Sequence, residues 1–129
     1  MTNLNSITKE FHERAKAKGF YEKPKEIGTL LMLVVSELSE ALEADRKDKH
    51  ADTKHIEQFF RNGKSDETNP ITYATLFKES VKDTFEDEIA DTLIRLFDLV
   101  GYLGIDIDKH IELKMKFNAT RESKHGKKY

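Results

Sequence analysis

Four acidic side chains, in two pairs of identical spacing, are the part of this sequence best suited to chemistry. Glu37 and Glu40 stand three residues apart in Val34-Val35-Ser36-Glu37-Leu38-Ser39-Glu40-Ala41-Leu42, and Glu88 and Asp91 repeat the interval in Phe85-Glu86-Asp87-Glu88-Ile89-Ala90-Asp91-Thr92-Leu93. Positions three apart share one face of a helix, and here that face is otherwise apolar. Burying an unpaired carboxylate is costly or forces it to take up a proton. Each pair therefore either sits in water at the edge of an apolar stripe or meets a compensating cation. Two helices packed about 8–10 Å apart would let all four carboxylates converge. Oxygen-only ligands of this kind suit Mg²⁺, with Mn²⁺ as a substitute. Cysteine is absent, and the one E-x-x-H match, Glu122 to His125, falls in a basic tail, which argues against zinc and di-iron centres.

A Mg²⁺ site built from carboxylates keeps positions for water and substrate phosphate, so the pattern points to phosphoryl or nucleotidyl chemistry. No glycine-rich phosphate loop, H-E-x-x-H or nucleophile elbow offers another route. A cationic complement lies downstream. Lys114, Asn118 and Arg121 fall at i, i+4 and i+7, one helical stripe, followed by Lys124, His125, Lys127 and Lys128. That stripe is either a triphosphate clamp, with Arg121 making a forked contact and Lys114 a point charge, or a solvated basic helix end.

The elements that must position these groups are helical. Apolar residues recur at helical spacing and strand-like alternation is hard to find, so the expected class is all-α, a compact helical bundle. A first helix is expected over about 5–18, stopped by Gly19, and a loop over Phe20 to Pro24. The second helix runs from about Glu26 to Arg46. A polar insertion follows, about 48–72, holding Gly63, Asn69-Pro70 and a short helix at Thr53 to Phe60. Another helix starts near Thr72. Thr84 is a credible N-cap for a long helix whose apolar residues, Ile89 to Val100, surround it so fully that it should be central and buried. Gly101 and Gly104 close that helix, Asp106 caps the next, and the last runs from about Ile107 to Thr120, leaving 121–129 as a basic tail that should fray. His12, Phe20 and Tyr21, and Phe59, Phe60 and Tyr73 in the insertion, suit either stacking on a base or packing in a core.

With 129 residues the chain is expected to form one domain, 1–129. Basic residues number 22 against 24 acidic, a net charge of −2, which offers no excess to hold a nucleic-acid duplex. No segment looks like a signal peptide, and the longest apolar run, Leu30 to Val35, is too short to span a bilayer. A cytoplasmic protein with no membrane partner is expected.

Taken in order, S-E-L-S-E-A-L-E-A-D-R, F-E-D-E-I-A-D-T-L-I-R-L and G-I-D-I-D-K-H-I-E-L-K-M-K-F-N-A-T-R, the chain resembles the MazG-like all-α nucleoside triphosphate pyrophosphohydrolases from about Glu26 onward. The resemblance implies Mg²⁺-dependent cleavage of a nucleoside triphosphate, a (d)NTP in a nucleotide-pool housecleaning role, to the monophosphate and pyrophosphate. It matches Glu37, Glu40, Glu88 and Asp91 to the catalytic metal ligands and Lys114, Asn118 and Arg121 to the substrate-binding end. It also implies a homodimer or a dimer of dimers. Two features depart from the family. Ser36 stands where many relatives carry a glutamate, and a serine cannot act as a carboxylate base; the segment between Glu40 and Glu88 is also longer than in compact members. The alternative is a helical interaction module that keeps the bundle without catalysis, and a carboxylate-bridged redox protein is a third reading.

Overall fold

The structure is a computed structural model that describes residues 3–63 and 69–128, with His125 described by its backbone alone. The chain is all-α: six α-helices and no strand among the described residues. They are α1 (Leu4–Ala17), α2 (Ile27–Arg46), α3 (Thr53–Arg61), α4 (Pro70–Ser80), α5 (Phe85–Leu103) and α6 (Ile107–Ala119), followed by a 3₁₀ turn at Ser123–Gly126. The helices fall in two compact units, one comprising 26–96 and the other 1–25 with 97–129.

In the unit of 26–96, α2 begins at Glu26 without a side-chain cap. Its buried residues, Val34, Glu37, Ala41 and Ala44, form one stripe at i, i+3, i+7 and i+10. A second apolar stripe, Leu31, Val35, Leu38 and Leu42, is between 46% and 50% exposed. The helix ends in a Schellman turn, where Asp48 takes the left-handed conformation (φ 53°) usually given to glycine. Lys49 N–H bonds Ala44 O at 2.9 Å and Asp48 N–H bonds Asp45 O at 3.0 Å. Lys49 O then accepts from Phe85 N at 2.9 Å, which ties the exit of α2 to the start of α5.

The insertion is built rather than loose in its described part. Asp52 caps α3 by accepting from His55 N, and Asn69 caps α4 ahead of Pro70, whose fixed φ suits the first helical turn. Phe60 stacks on Tyr73 and Tyr73 on Phe77, with ring centroids 6.3 and 6.5 Å apart. These aromatics pack on one another, with Phe59 and Phe60 half-buried and Tyr73 44% exposed. Residues 64–68 of the insertion lie outside the described residues.

The first part of α5 starts after Thr84, whose Oγ1 accepts from Asp87 N. It does not have the all-round burial expected of a central helix: Glu88 and Thr92 are buried, whereas Leu93 and Ile94 are both 47% exposed. Apolar composition on every face told that these side chains avoid water, but not what covers them within one chain.

In the other unit, α1 and α6 satisfy each other's first turns. Asp108 accepts from the N–H groups of Leu4 and Asn5, and Asn5 Oδ1 accepts from those of Ile107 and Asp108. Orphan donors at two helix starts are thereby paired by two side chains. Gly101 does not close α5. It lies inside the helix, where a Cβ would strike Thr8 O and approach His12 Cβ to 2.8 Å, so its role is close approach of α1; Gly104 (φ 64°) makes the turn that ends α5. The tail expected to fray forms the 3₁₀ turn at Ser123–Gly126.

Candidate metal centre

Glu37, on the buried stripe of α2, and Glu88, in the first turn of α5, are 7% and 6% exposed. With the exposed Glu40 one turn further along α2, they bring one carboxylate oxygen each within 4.8 Å of the others. Glu88 also belongs to a second group with Asp83 and Asp87, under the same 4.8 Å limit. Asp83 reaches it because the chain turns through a left-handed residue there (φ 62°) and its N–H bonds Asp87 Oδ2 at 2.9 Å. Three of the four acidic residues expected from the sequence thus share one cluster. Asp91, the fourth, joins neither group.

Like charges at this separation cannot all remain ionised. Burial pushes the Glu88 carboxyl up to about 7, with Glu37 and Glu40 adding to the rise. Glu40 is raised through its contact with Glu37 and that residue's charge. Burial would raise Glu37 too, but the Arg95 guanidinium and the hydrogen bonds from Glu40 and Glu88 outweigh it and hold its carboxyl below the usual range. Asp91 is raised by burial and by the charges of Asp87 and Glu37, against Arg95. The shifts therefore run in opposite directions across the cluster, down on Glu37 and up on Glu40 and Glu88.

Arg95 explains why Glu37 is the ionised member. Its Nε donates to Glu37 Oε1 at 2.5 Å, with the side chains 43% and 9% exposed. The buried Glu88 has no such nitrogen partner among the described residues; its hydrogen bonds run to the carboxyls of Glu37 and Glu40. All donors are hard oxygens, and Glu88 has no nitrogen partner among the described residues, so the residues present fit Mg²⁺ or Mn²⁺.

Ser36, the position where a carboxylate base was missing, is exposed and donates its hydroxyl back to Leu33 O at 2.7 Å. Beside the cluster is a cleft of about 340 Å³ lined by Glu40, Glu43, Lys47, Lys49, Asp83 and Glu88.

Lys114, Asn118 and Arg121 belong to the other unit, on α6 and the residue pair after it. Two of them share one ring: Lys114 Nζ lies 5.1 Å and Arg121 Cζ 5.5 Å from the centre of Phe117. Asn118 Oδ1 is buried without a hydrogen-bond partner among the described residues. In the same unit, His12 Nδ1 and Tyr21 Oη meet the two oxygens of Asp98 at 3.0 and 2.8 Å, and Tyr21 packs edge-on against His12 and beside Tyr102. Burial and Asp98 raise the Tyr21 phenol. Phe20 stands apart, 63% exposed.

Sequence reasoning missed Asp83, Arg95, Lys47 and Lys49. A signal existed for Arg95, which lies at i+7 from Glu88 and so on the same helical face. None existed for Asp83 and Lys49, whose positions depend on left-handed turns at Asp83 and Asp48. No helix among the described residues is long and apolar enough to cross a membrane. Comparison of the chain with family models, with curated proteins and with solved structures finds no match.

Proposed function

We propose that this chain is a Mg²⁺-dependent nucleoside triphosphate pyrophosphohydrolase, releasing a monophosphate and pyrophosphate, with Glu37, Glu40 and Glu88 as metal ligands and Asp91 outside that group. The observation that carries this reading is the convergence of Glu37, Glu40 and Glu88, two of them buried and one, Glu88, with no nitrogen partner among the described residues. A divalent cation bound there supplies charge neutralisation on the phosphate and an acidified water. The chain's own part is to hold three oxygens in place on two helices and to accept the protons that leave. The resemblance to the MazG-like enzymes implies a substrate-binding end at Lys114, Asn118 and Arg121, and the Lys114 and Arg121 cations both lie against the Phe117 ring. A second copy of the chain suits the exposed stripe of Leu31, Val35, Leu38 and Leu42, whose 4, 3, 4 spacing is that of a helix-packing seam.

The test is a panel of standard, deoxy and damaged nucleoside triphosphates assayed with Mg²⁺. Pyrophosphate is the expected product from at least one, and Glu40→Gln or Glu88→Gln should abolish it. Orthophosphate as the only product would sink the proposal.

One observation favours a second reading, a non-catalytic interaction module. Arg95 already supplies a cation to Glu37, and an apolar seam is exposed. Thermal unfolding with and without Mn²⁺ separates the two, since a bound ion raises the melting temperature and a module shows no response.

A further inference from the structure

We propose that Lys49, assisted by Lys47, binds the polyphosphate of the substrate within the same cleft as the carboxylates. The inference rests on the reading of Glu37, Glu40 and Glu88 as a divalent-metal centre, and names residues at the exit of α2 that neither the motif spacing nor the resemblance assigns.

Three features of the cleft support it. First, Lys49 is anchored before any ligand arrives: its N–H is held by Ala44 O and its carbonyl by Phe85 N, each at 2.9 Å. Phe85 opens α5, so the residue that fixes Lys49 is three positions from Glu88. Second, the Lys49 ammonium has no carboxylate in ion-pairing range among the described residues. Lys47 pairs with Glu43 at 3.2 Å, but both are more than half exposed, so this pair holds it only weakly. Third, the two lysines share the cleft of about 340 Å³ with Glu40, Asp83 and Glu88.

That mixture of charges selects a ligand class. Carboxylates repel a bare polyphosphate, and ammonium groups disfavour a bare metal ion. A metal–polyphosphate complex satisfies both walls together, with the cation on the carboxylates and terminal phosphate oxygens on the lysines. Lysine suits the task because a point charge on a flexible stem can follow a phosphate without demanding forked geometry.

Inorganic tripolyphosphate is the probe, because it carries the phosphates without a base or sugar. Its affinity for the full chain is measured by calorimetry in saturating Mg²⁺, and Mn²⁺ affinity is measured separately by electron paramagnetic resonance. Lys49→Met should weaken tripolyphosphate binding at least tenfold, and Lys47→Met by less. Mn²⁺ affinity should be unchanged or slightly tighter in both, and Lys49→Arg should stay within about threefold of wild type. If the Lys47→Met/Lys49→Met double variant binds tripolyphosphate like wild type while Mn²⁺ still binds, the lysine assignment is overturned and the metal reading stands. Wild-type protein that binds Mn²⁺ but no tripolyphosphate overturns it equally. If wild-type protein and Glu88→Gln are alike in binding no Mn²⁺, the metal reading fails and takes this inference with it.

Discussion

Replacing Glu88 by glutamine tests the electrostatics of the carboxylate cluster directly. A carboxyl raised from 4.5 to about 7 by burial and by its acidic neighbours keeps its proton in the native state over a range where the unfolded chain has released it. The native state then binds more protons than the unfolded state, so stability from this group falls as pH rises from about 4.5 to about 7. Above that range the loss is complete, about 3 kcal/mol. Glutamine has nearly the same shape and no charge to bury. The metal-free Glu88→Gln protein should therefore melt higher than wild type at pH 8, on the order of 10 °C for a chain of this length, and much closer to it at pH 5. Divalent metal must displace the same proton. For a group titrating near 7, apparent Mn²⁺ affinity should rise about tenfold between pH 6 and pH 8, with proton release at pH 6 detectable in buffers of different ionisation enthalpy. Scanning calorimetry and isothermal titration read both effects. A Glu88→Gln protein no more stable than wild type at pH 8, or Mn²⁺ affinity flat across this range, refutes the reasoning.

Arg95→Gln removes the cation that neutralises Glu37 in the metal-free protein. Because Arg95 is partly exposed, the cost should be modest, about 1–2 kcal/mol, and Mn²⁺ should restore it, giving the variant a larger metal-induced rise in melting temperature than wild type; an equal or smaller rise counts against competition between the guanidinium and the metal. Leu38→Glu, at the middle of the exposed stripe on α2, should leave helicity unchanged by circular dichroism and convert any assembly seen by light scattering to a monomer. Gly101→Ala should destabilise by about 1–3 kcal/mol in denaturant unfolding, because its methyl group would enter the space of Thr8 O and His12 Cβ.

Helical class and most helix positions were legible because they depend on local signals: Asp106 as the cap of α6, Thr84 before α5 and the short helix starting at Thr53 all stand where capping and periodicity put them. Gly101 was misread because a glycine near a helix end looks the same in sequence whether it ends the helix or lets another helix approach. Burial of α5 was overestimated for a related reason, since the sequence records that Leu93 and Ile94 are apolar and not which chain or element covers them. For the cluster, the three-residue spacing put Glu37 with Glu40 on one face of α2, and it is the packing of α2 against the start of α5 that brings Glu88 to them. The spacing could not distinguish Asp91 from Asp83, because the latter joins through a left-handed turn that no helical periodicity encodes.

The cluster also shows why the acidic pairs do not need to be solvated to be tolerated. Glu37 is neutralised by Arg95 and Glu88 by a proton, so without metal the buried charge is already compensated by two devices of different strength. A proton held near pH 7 is easily exchanged, whereas a guanidinium on a half-exposed side chain can swing into water without being lost from the site. A divalent cation arriving at this cluster would meet carboxyls held in place at low cost, with counter-charges that can leave. On the proposed reading, fixed ligands with exchangeable counter-charges suit a centre that loads metal together with a phosphate ligand. A purely structural acidic pair would be better served by a buried arginine on each carboxylate, and Glu88 has none among the described residues.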